Sequence, residues 1–118
     1  MLKDSLFAKY LKDRQGIEVL ESEFGFITYK LNGEECFIVD MCVDKSTRMQ
    51  GHGRFLLNEL ESIAKNAGAK ILSANIHLWD KNANQTIMAA LCCGFSVTRA
   101  EQNIILVTKK LEVLDGKR

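Results

Sequence analysis

The chain has no proline, and only eight of its 118 residues are glycine. Turns and helix ends must therefore be made by a few glycines with asparagine and aspartate. No apolar stretch approaches the ~20 residues that a membrane span requires, so no membrane partner is expected. No block of like charge stands out either. Sixteen basic side chains against fifteen acidic ones leave a net charge of +1, which does not suit a surface tracking nucleic-acid phosphates. The opening segment "MLKDSLFAKYLKDR" alternates charges with hydrophobes and lacks the continuous apolar core of a signal peptide, so a cytoplasmic location is expected. The four cysteines, Cys36, Cys42, Cys92 and Cys93, show no metal-site spacing. They are expected as buried free thiols, and no metal is expected.

What is present is an ordinary globular composition, 47% apolar and 26% charged. The length fits a single domain over 1–118, able to bury about two-thirds of its unfolded surface. Residues 2–12 carry Leu2, Leu6, Tyr10 and Leu11 at helical spacing, with Gly16 as a stop. Strand patterns follow at 17–20 and 24–31, then a hairpin signal at Asn32-Gly33 and a return through "ECFIVDMCV", 35–43. Both alternating sets of that segment are mostly apolar, which predicts a central strand covered on both faces, with Asp40 as its single interior charge. Phe55, Leu56, Leu60, Ile63, Ala64 and Ala67 form one helical face ending at Gly68. A strand at 70–78, a short helix at 86–93 closed by Gly94, and strands at 95–99 and 103–111 complete the order. That order predicts an α/β (α+β) mixed sheet with helices packed on it, rather than a doubly wound parallel fold.

"RMQGHGR", residues 48–54, joins the central strand to the following helix and places two glycines one residue apart. A loop entering a helix presents unpaired N–H groups at the positive end of the helix dipole, and glycines there let an anion approach. A tight turn with no ligand fits the glycines equally well. Two nucleotide motifs fail: no Gly-Lys-Ser/Thr follows, and Leu56 stands where a dinucleotide fingerprint needs its third glycine.

The wider segment "VDMCVDKSTRMQGHGRFLLNEL" resembles the acetyl-CoA-binding region of the GNAT superfamily of N-acetyltransferases. Arg48, Gly51 and Gly53 satisfy the signature of Arg or Gln, two residues, Gly, one residue, then Gly or Ala. Val43 corresponds to the valine that commonly ends the family's fourth strand, and "FLLNEL" to the start of its long helix. "KILSANIHL" resembles the fifth strand, and Gly94-Phe95 the Gly-Phe pair after the fourth helix, so the resemblance covers about 17–111.

The resemblance implies a mostly antiparallel central sheet whose family-numbered fourth and fifth strands splay apart, flanked by helices. It implies acetyl-CoA as co-substrate, with its diphosphate on the backbone of Arg48, Met49, Gln50, Gly51, His52, Gly53 and Arg54. The pantetheine arm would bond the backbone of Met41, Cys42 and Val43, repairing groups left without a strand partner. The same N–H groups would stabilise the oxyanion during direct attack by a primary amine. Arg48 and Arg54 either add charge or are merely solvated, and His52 covers the loop. Asn84 or Asn82 bonds the pantetheine or caps the helix, with Asn84 preferred.

Asp40 is the candidate base, taking the amine's proton through water, and burial in the strand would make it a stronger one. The alternatives are that it orients a loop or faces solvent. His77 is the second candidate, against a surface or satisfied histidine. The tyrosine that many family members use to protonate the leaving thiolate has its place at Ala90 or Leu91, and neither donates a proton. The thiolate would then leave unaided or take a proton from water. A short N-terminal third implies an open groove for a protein lysine or N-terminus, or a pocket completed by a second subunit in a homodimer; a small-molecule amine is the other acceptor class. The rival to an enzyme is a catalytically weak or inactive acyl-CoA-binding sensor of the same fold.

Overall fold

A computed structural model describes residues 6–44 and 51–112. The elements are α1 (Leu6–Gln15), β1 (Glu18–Ser22), β2 (Gly25–Asn32), β3 (Glu35–Val43), α2 (His52–Asn66), β4 (Ile71–His77), α3 (Ala83–Cys92), β5 (Ser96–Glu101) and β6 (Ile104–Lys110). The six strands form one sheet in the order β1-β2-β3-β4-β6-β5. Only β3 and β4 run parallel; the other four pairings are antiparallel. The mixed, mostly antiparallel sheet expected from the sequence is the one observed.

The glycines stop the helices as their positions suggest. Gly68 has a φ of +92°, its N–H bonds the Lys65 carbonyl at 3.0 Å, and Ala69 N–H bonds the Ala64 carbonyl at 2.9 Å. Gly94 repeats this at the end of α3, with Gly94 N–H on the Leu91 carbonyl and Phe95 N–H on that of Ala90. Both are left-handed helix closures that a Cβ would strain. α3 begins three residues earlier than the apolar pattern suggested. Asp80 Oδ1 takes the Asn82 N–H at 2.9 Å and turns the chain into the helix before its apolar residues start.

The core lies on one side of the sheet. Leu56, Leu60 and Ala64 of α2 and Ala83 of α3 pack with Ile27, Tyr29, Cys36, Ile38, Leu72, Ile76, Phe95 and Val107. Burying a side chain of the size of Leu56 or Leu60 contributes roughly 1.5–3 kcal/mol. α1 touches chiefly β1, and its Leu6 and Tyr10 remain exposed.

One expectation fails, and its cause positions the site. β3 is central but is not covered along its length. Cys36 and Ile38 are buried, whereas Val39, Asp40 and Cys42 are exposed. Tyr29 pairs with Ile38 and Thr28 with Asp40, so Val39 is an extra residue with no partner position on β2. Such a bulge reverses the alternation beyond it. Met41 and Val43 then pack on the core, and Asp40 and Cys42 turn to the opposite face.

Among the described residues no helix is long and apolar enough to cross a membrane.

Candidate active site

β3 and β4 pair over only four positions, Glu35 with Ile71 through Ile38 with Ala74. Both strands run on past this point without pairing to each other, β3 to Val43 and β4 to His77. β3 stays with β2 to its end, where Gly25 pairs with Val43. That end is tightly held, since a Cβ on Gly25 would lie 2.2 Å from the Cys42 carbonyl oxygen. Asp44 N–H also bonds the Phe24 carbonyl at 2.6 Å. β3 thus parts from β4 at the bulge of Val39, while β2 stays paired with it. The splay expected from the family resemblance is present.

A cleft of about 230 Å³ occupies the gap. Val39, Asp40 and Met41 line it from β3, and Asn75, Ile76 and His77 from β4. Leu57 of α2, Asp80, and Thr86, Ala89 and Ala90 of α3 complete the wall. Here Asp40 and His77, the two candidate bases, stand on opposite sides of one opening.

Asp40 is exposed, where the sequence pattern places it buried in the strand. Its Oδ1 accepts the Met41 N–H at 2.8 Å. One of the backbone donors assigned to the pantetheine and oxyanion therefore already holds a carboxylate oxygen. His77 is also exposed, with its ring 5.3 Å from that of Trp79.

At the mouth of α2 the two glycines have different causes. Gly51 is the helix N-cap with φ of +86°, a conformation in which any Cβ is strained. Gly53 is helical, and a Cβ on it would meet Val43 Cγ2 at 3.7 Å and Met41 Cε at 3.9 Å, both ordinary contacts. Nothing within the described protein requires glycine at 53. A tight turn explains Gly51 but not Gly53, and a ligand approaching the backbone explains both. Among the described residues no side-chain hydrogen bond caps the helix, and its first N–H groups point to where an anion would sit. Met41 connects the two regions, because it faces Gly53 and also lines the cleft.

Other expected site residues fall as follows. Arg48, Met49 and Gln50 lie outside the described residues. His52 stacks on Phe24 with ring centroids 4.0 Å apart, which anchors the helix mouth to the β1–β2 turn. The Arg54 guanidinium donates to the Cys92 carbonyl at 3.1 Å, tying that mouth to the end of α3. Asn84 lies in the first turn of α3. It is exposed and does not line the cleft, since at about 100° per residue it sits some 200° around α3 from Thr86. Asn82 occupies the N-cap of α3 without a side-chain cap bond. Of the two places open to the missing tyrosine, Ala90 lines the cleft and Leu91 does not.

The sequence reading missed Asn75, Asp80 and Thr86. Thr86 had a legible signal, three residues after Ala83 and four before Ala90 on one helical face. Asn75 had the polar alternation of its strand.

A sequence model of the acetyltransferase (GNAT) family matches residues 8–95. The fold is shared by solved structures. The PaiA N-acetyltransferase from Thermoplasma acidophilum, in complex with coenzyme A, matches with a TM-score of 0.73 at 18% identity, over 89% of this chain and 69% of that one. A GNAT family acetyltransferase from Elizabethkingia anophelis with acetyl-CoA bound matches at 0.70 and 19% identity, over 91% of this chain and 86% of the other. Ard1 from Thermoplasma volcanium matches at 0.65 and 18% identity over 75% of this chain, which spans 64% of that protein, less than two thirds of its length. No curated protein matches the sequence.

Proposed function

Because the chain belongs to the acetyltransferase (GNAT) family, we propose that it transfers an acetyl group from acetyl-CoA to a primary amine by direct attack. One observation carries this reading: β3 and β4 part after Ile38 and Ala74 and open a cleft whose wall reaches the mouth of α2 through Met41.

The residues fit the co-substrate. The N–H groups of His52, Gly53 and Arg54 would hold its diphosphate, with Arg48, Met49, Gln50 and Gly51 completing the loop. The bare Cα of Gly53 lets the anion come close. The backbone of Met41, Cys42 and Val43 would hold the pantetheine arm as an added strand. In the reaction the amine nitrogen bonds the acetyl carbon, the carbon–sulfur bond breaks, and coenzyme A leaves as a thiolate. An N–H from β3 bonds the developing oxyanion, most directly that of Met41 once Asp40 releases it. An alkyl amine is mostly protonated at pH 7, so a base must take its proton. Asp40 does so through water, and His77, which also lines the cleft, is the second candidate. With Ala90 in place of a proton donor, the thiolate leaves unaided or is protonated by water. The acceptor is a protein lysine, a protein N-terminus or a small-molecule amine, reached in the cytoplasm.

A second reading, an acyl-CoA-binding module with weak or no turnover, is favoured by Ala90 alone. Calorimetry with acetyl-CoA and thiol release with a panel of amines separate the two. Binding followed by amine-dependent thiol release is expected. Binding without release from any amine establishes the module instead, and no binding removes both. In Asp40→Asn, turnover should drop at least about a hundredfold, the low end for loss of a general base. Full turnover from pH 6 to 9 would reassign the base to His77.

A further inference from the structure

β5 ends the sheet, and among the described residues nothing pairs with its outer edge. The opposite edge differs, because β1 has α1 packed beside it and the Lys12–Glu18 ion pair fastening the two at 3.2 Å. Every residue of β5 is exposed, and the strand has neither the lysine nor the proline that blunts an open edge. It does carry two protective features, the charged side chains of Arg99 and Glu101 and a bulge at Thr98, between Val97 opposite Val107 and Arg99 opposite Leu106. The Thr98 hydroxyl is occupied, 2.9 Å from that of Thr108. The bulge ends before Arg99, and Arg99-Ala100-Glu101 is regular strand.

That regular segment is complementary to itself. Arg99 and Glu101 lie on the same face, two residues apart, and now pair with each other at 3.3 Å. Both side chains are 70% exposed, so this internal pair contributes little stability and is readily exchanged. We propose that β5 is the self-association edge of this protein: two copies pair their β5 strands antiparallel about a two-fold axis at Ala100. Arg99 then faces the partner's Glu101, and Glu101 faces the partner's Arg99. A parallel pairing would set like charges opposite each other, which is destabilising. Charge therefore selects the antiparallel, isologous arrangement.

The flanking surface suits the same partner. Val97 and Ala100 share the sheet face on which α3 packs. Val97, on the open strand itself, is 48% exposed, a large apolar side chain at the proposed seam. On the opposite face, Arg99 and Glu101 form the rim of a polar groove of about 280 Å³ with Gln102, Ile104, Leu106 and Asn75. Asn75 also lines the cleft. A partner strand added at β5 would supply this groove with a second wall, so the dimer edge and the cleft are neighbours.

Charge reversal tests the pairing in the full chain. Sedimentation velocity at micromolar concentration should show a dimer. Arg99→Glu alone and Glu101→Arg alone should each raise the dimer Kd at least about a hundredfold, since like charges then meet twice across the axis. Circular dichroism should show both variants folded, because both side chains are exposed. Mixing the two single variants should restore association as a heterodimer, and the double variant R99E/E101R should dimerise as the natural chain does. A monomeric natural chain overturns the proposal. So do single reversals that leave the dimer intact, or a mixture that fails to associate, because loss of the internal ion pair alone cannot be rescued between chains.

Discussion

A Cβ placed on Gly53 would stand 3.7 Å from Cγ2 of Val43, so the helix mouth has room for alanine and the fold does not ask for glycine there. The stability and the binding function of this position should therefore separate. Gly53→Ala is expected to stabilise the protein by up to about 0.5–1 kcal/mol through helix propensity, read by urea denaturation. Gly53→Glu, whose carboxylate meets the bound diphosphate, should weaken acetyl-CoA binding at least about tenfold, or about 1.4 kcal/mol, by calorimetry. Gly51→Ala is the control with the opposite sign. At φ of +86° it should lose roughly 1–2 kcal/mol of stability. Unchanged acetyl-CoA affinity in Gly53→Glu would remove the loop from the site.

Glu61 of α2 is held by two ammonium groups, Lys109 of β6 at 3.0 Å and Lys65 one helical turn on at 3.4 Å. Burial raises its carboxyl, but the hydrogen bonds and charges of Lys109 and Lys65 outweigh that and leave it below the usual carboxylate range. A depressed folded value means stability that is fully present above the unfolded value of about 4.3 and is lost as pH falls through the folded value. Glu61→Gln should cost roughly 1–2 kcal/mol at pH 7. The gap to the natural chain should close as the pH drops below about 4. A gap independent of pH would show that packing, not charge, holds α2 to β6.

The thiols test burial directly. Cys36 is fully buried and its thiol is pushed up to about 11, chiefly by desolvation and further by the neighbouring Glu35 carboxylate. Cys42 and Cys92 are exposed and Cys93 is half-buried, so the expectation of four buried thiols holds for Cys36 alone. At pH 8 an aromatic disulfide reagent should label Cys42 and Cys92 first, Cys93 more slowly, and Cys36 only on unfolding. Mass spectrometry of the labelled peptides reads the order, and rapid labelling of Cys36 in the native chain would contradict the register of β3.

The misplacement of Cys42 and Asp40 shows where the sequence stopped being legible. Element types and order could be read because Leu56, Leu60 and Ala64 keep helical spacing, and because Gly68 and Gly94 close helices with positive φ. The loop could be singled out as a candidate anion site because Gly51 and Gly53 stand together with Arg48. The parity of β3 could not. An apolar run such as Ile38-Val39 followed by Met41-Cys42-Val43 gives no sign of which residue is extra, since every member suits either face. Strict alternation from Ile38 places Asp40 and Cys42 in the core. The bulge at Val39 places them outside and puts Met41 and Val43 within. The flank taken by Asn84 was not legible either, because a capping residue announces the start of a helix but not which side of it faces the cleft.

If Val39 alone is what separates β3 from β4, its deletion should close the site. Removing it leaves Ile38 next to Asp40, with Tyr29 still opposite the first and Thr28 opposite the second. The faces of Asp40, Met41 and Val43 do not change, so the core contacts of Met41 and Val43 survive. What changes is the bend: a regular β3 can continue its pairing beyond Ala74 towards Asn75 and Ile76, over the space that the cleft now occupies. The deletion variant should unfold in urea within about 1 kcal/mol of the natural chain, since an exposed residue is lost and backbone pairing is gained. Its affinity for acetyl-CoA should fall at least about tenfold, because the restored strand pairing would occupy the backbone edge proposed for the pantetheine arm. A variant that folds and still binds with natural affinity would show that the bulge does not create the cleft, and that the separation of the strands is imposed from α2 and α3 instead.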